Sequence, residues 1–175
     1  DPRVQLAVLL RIAEDKSPES VSGKLLSGLM LGNQSLASDE VLLDAWTSAA
    51  STNPVETLVA LVNSDDVPSG DNVTNRVSVL AEHIARSNPT AEKIASLLDL
   101  DAKSKLTVAA WEGLARGWPK ELTLTLAEDA QKKFRERYLA DSTPIECKAA
   151  VLAVADKWSI RDLEQSVTAI QKSLF

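Results

Sequence analysis

The chain has 175 residues, of which 45% are hydrophobic and 25% are charged, and these proportions are typical of a folded globular domain. Its formal net charge of −6 repels phosphate backbones. A nucleic-acid-binding role would therefore need a segregated basic face. The single cysteine, Cys147, excludes an internal disulfide and a CxxCH haem motif within these residues. No apolar run reaches the roughly 18 residues of a membrane-spanning helix.

Proline residues mark where several helices are predicted to begin. Proline suits the first helical position, because its φ is already helical and its missing N–H would have no helical partner there. Thr143-Pro-Ile-Glu146 also matches a capping box, and Asn53-Pro-Val-Glu56 is a near variant. Five prolines follow a residue that can cap a helix, in the pairs Asp1-Pro2, Ser17-Pro18, Asn53-Pro54, Asn88-Pro89 and Thr143-Pro144.

Apolar residues at helical spacing predict four helices in the first part of the chain. The first helix is predicted over 2–14, and the second begins at the next proline and ends at Gly32. The third begins at Ser38, and its partner begins after Asn53. The polar segment 63–71, which contains proline and glycine, is predicted to be a loop.

The second part of the chain is predicted to be helical as well. Leu122 to Leu126 alternates apolar and polar residues like a strand, but it adjoins residues at helical spacing, so we assign it to a helix and predict no strand. Pro119 prevents continuation of the helix before it. The predicted helices are one after the loop, one after Asn88-Pro89, and those over 102–117, 122–140, 144–158 and 160–174.

These helices group into about five pairs along one domain, residues 1–175. The first helices of successive pairs start 31 to 41 residues apart, which is the range of two-helix solenoid repeats. Short helix pairs cannot bury their apolar faces alone, so stacked neighbours must supply the core. The sequence therefore predicts an all-α fold, an α-α superhelix of about five antiparallel helix pairs. A compact helical bundle is the competing architecture.

Two segments, Asp1-Pro-Arg-Val-Gln-Leu-Ala7 and Ala110-Trp-Glu-Gly-Leu-Ala-Arg-Gly117, resemble HEAT repeats. More narrowly, they resemble the HEAT segment of large bacterial multidomain proteins. In those proteins a propeller or membrane-bound-dehydrogenase-like region precedes the repeats, and a c-type haem domain follows them. The present chain carries neither the CxxCH motif nor catalytic residues of such regions.

The resemblance implies a HEAT/ARM-like solenoid, excised from a larger protein, that acts as a non-catalytic spacer or docking scaffold. It would bind a protein or neighbouring domains of the same chain, and it would need no cofactor of its own. The whole protein would then be periplasmic or membrane-associated. The start of the chain at Asp1-Pro2, directly on a helix, agrees with an excised piece.

The densest basic run in the sequence supplies the candidate binding residues, Lys132, Lys133 and Arg135. In a two-helix solenoid the second helix of each pair lines the concave face, so these side chains would meet an acidic partner. Glu128, Asp129 and Glu136 stand three or four residues from the basic ones and partly neutralise them. An ion-paired, solvated helix surface is therefore the competing interpretation.

The residue types that usually carry chemistry are sparse. His83 is the only histidine, and no residue at useful spacing would orient it as a base. Cys147 precedes Val151 and Val154 at helical spacing, which predicts an inert thiol in the core. The acidic pairs lack the spacing of a calcium loop, and no phosphate-binding loop, GxSxG or HExxH motif occurs. We therefore predict no catalytic, metal or cofactor residue.

Two other classes of function remain as alternatives. The first is a nucleic-acid-binding helical-repeat protein, a class that includes base-repair enzymes, although the net charge of −6 opposes it. The second is a helical enzyme with a buried acidic site. Retention on heparin at low salt would favour the first alternative.

Two details of the repeat packing follow from the spacing. In the helix 102–117, Gly113 and several alanines should let another helix approach closely, while Trp111 should be a buried wedge shared with the preceding pair. Asp44 and Arg76 each stand three residues after the first valine of their helix, so they should lie close to one another in stacked repeats.

Overall fold

The computed structural model describes residues 1–15, 21–66, 70–160 and 163, and every regular element in these ranges is helical. The all-α prediction is therefore confirmed for the described part of the chain. Its helices are α1 (Pro2–Glu14), α2 (Gly23–Leu31), α3 (Gln34–Ser38), α4 (Glu40–Ala50), α5 (Pro54–Val62), α6 (Asp71–Arg86), α7 (Ala91–Leu97), α8 (Lys105–Gly117), α9 (Glu128–Tyr138), α10 (Ile145–Ala155) and a 3-10 turn (Asp156–Trp158).

The proline rule holds at two helix starts and fails at a third. Pro2 and Pro54 open α1 and α5 as predicted. Asn88-Pro89, however, does not start a helix, because Asn88 adopts a left-handed backbone with φ of 53° and Thr90 caps α7 instead. A left-handed residue leads the chain away from the preceding helix. The predicted start at Ser17-Pro18 lies outside the described residues.

Side-chain caps explain why three other helices begin later than predicted. Ser22 caps α2, and Ser104 caps α8 by accepting a hydrogen bond from the Leu106 N–H at 3.3 Å. Asp39 caps α4 and accepts from the N–H groups of Val41 and Leu42, which leaves the preceding residues in the separate short helix α3. A serine or aspartate oxygen stabilises a helix start by satisfying N–H groups that have no helical acceptor.

The predicted helix over 122–140 is wrong in its first six residues, which have no regular secondary structure and precede α9. The Leu124 N–H donates to the Lys157 carbonyl oxygen at 2.8 Å, and the Trp118 indole donates to the Leu122 carbonyl oxygen. Leu126 is buried, whereas Thr123 and Thr125 are exposed. The alternation therefore reflects leucines that pack against the core and threonines that face solvent. The predicted last helix, 160–174, lies outside the described residues except for its positions 160 and 163.

The helices pack in two sets. In the first set, α1 packs on α4, α4 on α6, α6 on α8 and α8 on α10. In the second set, α2 packs on α5 and α5 on α7. The buried side chains form one core cluster that runs from Leu9 to Ile160. Each helix is thus buried mainly by helices that are near it in the chain.

The most extensive contact between two helices joins α6 and α8, which approach each other closely at two glycines. A methyl group on Gly113 would clash with the Ser78 carbonyl oxygen and lie 2.9 Å from its carbon. A methyl group on Gly117 would lie 2.5 Å from the Glu82 carbonyl oxygen. The prediction that the small residues of this helix admit a close neighbour is therefore confirmed.

An aromatic cluster fills the core beyond α8. Trp111 is fully buried, and its ring meets Tyr138 and Trp158 edge to face at centroid distances of 5.2 and 5.5 Å. Trp118 and Phe134 also contact Trp158. The predicted burial of Trp111 is confirmed, but its aromatic neighbours come from α9 and from the turn after α10. The aromatic contacts therefore link its own pair to the following pair rather than to the preceding one.

The predicted approach of Asp44 and Arg76 is confirmed. The Arg76 Nη1 lies 2.7 Å from the Asp44 Oδ1 and ties α6 to α4. The Asp44 side chain is 68% exposed, so water screens this ion pair and its free energy is small.

A double-mutant cycle with Asp44→Asn and Arg76→Gln should measure that free energy. We expect a coupling of about 0.2–1 kcal/mol in urea unfolding, because one partner is solvated, with a decrease as salt is added. A coupling of zero at low salt would show that the ion pair is not formed in solution.

Candidate functional site

The predicted binding residues lie on α9, where ion pairs hold two of them. Lys132 lies 3.8 Å from Glu136 on its own helix, and Lys133 lies 2.6 Å from Asp99, just beyond α7. Arg135 is half-buried, and no described carboxylate lies within 4.0 Å of it. The basic run is therefore partly neutralised, and Lys133 joins α9 to the end of α7.

A groove of about 840 Å³ runs across α2, α5 and α7, on the side of the second helix set. Val55, Val59 and Ala60, all half-buried, give it an apolar lining. Two exposed lysines, Lys24 from α2 and Lys93 from α7, line the same groove. We call this feature the second-helix groove.

Glu56 lies in the second-helix groove and holds α2 against α5. Its Oε2 accepts hydrogen bonds from the Gly23 N–H at 2.8 Å and from the Asn53 Nδ2 at 2.7 Å. Its Oε1 accepts from the Ser22 hydroxyl at 3.3 Å. The Asn53 side chain makes no capping hydrogen bond, so the predicted capping box variant is wrong at Asn53. Glu56 instead accepts a hydrogen bond from the N-terminus of α2. No local sequence motif indicates this long-range contact.

The other end of the groove is fixed by hydrogen bonds to the turn after α7. The Asn63 Nδ2 donates to the Asp99 carbonyl oxygen at 3.0 Å, and the Asp101 N–H donates to the Asn63 Oδ1 at 2.7 Å. The Tyr138 hydroxyl donates to the Leu100 carbonyl oxygen at 2.9 Å. The Asp99 carboxylate is held in turn by Lys133 and by Arg137 at 3.7 Å. The end of α5 and the side chains of α9 therefore hold this wall of the groove.

The titratable groups of the core are inert rather than activated. Burial, with a smaller contribution from the nearby negative charge of Asp101, raises the pKa of the Cys147 thiol to about 11. Burial also raises the pKa of the Tyr138 hydroxyl well above its usual range. His83 is exposed on α6. Among the described residues, no three His, Cys, Asp or Glu side chains converge as metal ligands would.

The buried thiol should be protected until the protein unfolds. We expect Cys147 to react with a thiol reagent near pH 8 only in denaturant, because the native thiol is buried and remains protonated. Above the ordinary thiol pKa of 9.0 the unfolded chain loses this proton while the native chain keeps it, so the free energy of unfolding should fall toward pH 11. Fast labelling without denaturant would contradict the burial.

None of the described helices combines the length and apolarity required to cross a lipid bilayer. Comparison of the chain with known protein families, with curated proteins and with solved structures gives no match.

Proposed function

We propose that the chain is a single HEAT-like α-α superhelix of about five antiparallel helix pairs, which acts as a non-catalytic protein-interaction or spacer scaffold. The observation that carries the proposal is the order of packing. Along the first helix set, α1, α4, α6, α8 and α10 each pack on the next, and α2, α5 and α7 do the same beside them. Stacked pairs produce this order, whereas a closed bundle would also bring distant helices together.

Separate polar links at successive junctions support a spacer role. The Trp46 indole donates to the Leu26 carbonyl oxygen at 2.7 Å, between the first and second pairs. The Asp44–Arg76 ion pair joins the second pair to the third, and the Tyr138 hydroxyl joins the third to the fourth. A module tied in this way at three successive junctions would keep a fixed distance between the domains attached to its ends.

The second helix set supplies the proposed binding face. It carries the second-helix groove, and the basic residues Lys132, Lys133 and Arg135 stand on α9, whose Lys133 pairs with Asp99 at the edge of that groove. The partner is a protein or a neighbouring domain of the same chain. The resemblance to the HEAT segment of haem-containing bacterial proteins supports a setting in a larger, periplasmic or membrane-associated protein.

Small-angle X-ray scattering tests the superhelix. A compact domain of 175 residues has a radius of gyration of about 16 Å. We expect a clearly larger value, because stacked helix pairs form an elongated particle. A measured radius near the compact value would favour the bundle.

Photo-crosslinking tests the binding role. A photoreactive residue in place of Ser96, which is exposed in the second-helix groove, should crosslink to a protein or to a flanking domain. The same residue in place of Glu112, which is exposed on α8, is the matched control and should not. Equal crosslinking at both positions would contradict a dedicated binding face.

The nucleic-acid alternative has a simple test. The protein should pass through a heparin column at about 0.15 M salt, because its 25 acidic residues outnumber its 19 basic ones and repel the polyanion. Tight retention would favour that alternative over the scaffold.

A further inference from the structure

We propose that the second-helix groove binds an extended acidic segment of a partner protein, with Lys24 and Lys93 each pairing with one carboxylate. This inference rests on the proposed protein-binding function and adds the chemistry of the ligand. Its basis is the charge, the lining and the dimensions of the groove.

The groove and its ion-pair partners carry an excess of positive charge. No described carboxylate lies within 4.0 Å of the Lys24 or Lys93 ammonium group. Asp99 pairs with Lys133 and Arg137, whereas Glu56 accepts three hydrogen bonds from neutral donors and keeps its negative charge. The four cations outnumber the two carboxylates, so an acidic segment is attracted to this groove although the whole chain has a net charge of −6.

The lining of the groove favours an apolar side chain in the ligand, between its two carboxylates. Val55, Val59 and Ala60 form half-buried apolar surface that an apolar side chain of the ligand can cover. An acidic segment with an apolar centre therefore fits better than a uniformly acidic one. Lys132 and Lys133 on α9 are less suited to this role, because each already has an acidic partner.

The packing of the helices sets the length of the ligand. Lys24 and Lys93 stand on α2 and α7, and α5 packs between these two helices. Packed helices lie about 8–10 Å apart, so the axes of α2 and α7 are separated by roughly 16–20 Å, and we take this span as the distance that the ligand must bridge. An extended chain advances about 3.3 Å per residue, which places the two carboxylates about five or six residues apart.

Fluorescence anisotropy with a labelled peptide tests the proposal. The probe is a peptide with glutamates about six residues apart around a leucine, and the comparison peptide has glutamine at both ends. We expect the glutamate peptide to bind more tightly at low salt and to weaken as salt rises to about 0.15 M. Lys24→Gln and Lys93→Gln should each weaken its binding about three- to fivefold, as loss of one exposed ion pair does.

Lys120→Gln is the matched control, because Lys120 is exposed and lies outside the groove, and it should leave binding unchanged. Thermal melts should show that all three variants fold. Equal binding of the two peptides, wild-type affinity in both groove variants, or no binding of either peptide would overturn the acidic-ligand inference. The scaffold function would survive these results if the residue at position 96 still crosslinks to a protein, so the two proposals fail separately.

Discussion

Trp111→Ala is expected to lower the free energy of unfolding by about 3–5 kcal/mol, the range for loss of a large buried aromatic side chain. Trp111 has no exposed surface, and its ring packs edge to face on Tyr138 and Trp158. The residues beside it, Ala110 and Gly113, are too small to fill the space that the ring leaves. A loss of this size is a large part of the roughly 5–15 kcal/mol that stabilises a whole domain.

The variant should also reveal how the pairs are coupled. Trp111 joins rings from α9 and from the turn after α10, so its removal should uncouple the last pair from those before it. Urea unfolding of Trp111→Ala should then show a lower midpoint and a broader or two-step transition. A midpoint close to that of the wild type would show that Trp111 lies at the surface in solution.

Two further substitutions sharpen the measurement. Trp111→Phe should cost much less than Trp111→Ala, because it keeps a ring in the cluster and removes an indole N–H that has no hydrogen-bond partner among the described residues. Glu112→Ala changes an exposed neighbour on the same helix and should shift stability by less than about 0.5 kcal/mol. A large effect of Glu112→Ala would indicate that the helix itself, rather than the ring, is being disturbed.

The features that could be predicted from the sequence depend on local signals or on the regular spacing of residues. The bounds of α1 depend on an N-cap, a proline and apolar spacing within one segment, and the predicted range 2–14 matches the structure. The Asp44–Arg76 ion pair followed from matching positions in the first helices of two successive pairs. Predicting it required only the spacing of the repeats. Burial of Trp111 and Cys147 followed from their helical spacing to other apolar residues.

What could not be predicted depends on partners that are distant in the chain. The segment 122–127 is not helical, and its Leu124 N–H donates instead to the Lys157 carbonyl oxygen, an acceptor that no local signal reveals. Glu56 has the spacing of a local cap but bonds to Gly23 in another helix. The second-helix groove is less visible still, because Lys24 and Lys93 share a face only after α2, α5 and α7 have packed.

Gly113→Ala is expected to destabilise the protein strongly, although it adds only one methyl group. That methyl group would clash with the Ser78 carbonyl oxygen and lie 3.0 Å from the Ala81 Cβ. The Ser78 oxygen is a backbone atom and the Ala81 Cβ is bonded directly to the backbone, so neither can rotate away. The helices α6 and α8, which form the most extensive helix contact, must therefore move apart. Alanine favours a helix over glycine by about 1 kcal/mol, which offsets only part of the cost.

We therefore expect Gly113→Ala to lower the free energy of unfolding by about 3 kcal/mol, at the upper end of the range for overpacked cores. Gly28→Ala is the matched control, because Gly28 also lies within a helix but a methyl group there meets no atom within 4 Å. It should raise stability by about 0.5–1 kcal/mol through helix propensity alone. Urea melts of the two variants should thus move in opposite directions. If Gly113→Ala were as stabilising as Gly28→Ala, α6 and α8 would not be in close contact, and the stacking on which the proposed scaffold depends would be wrong at its central junction.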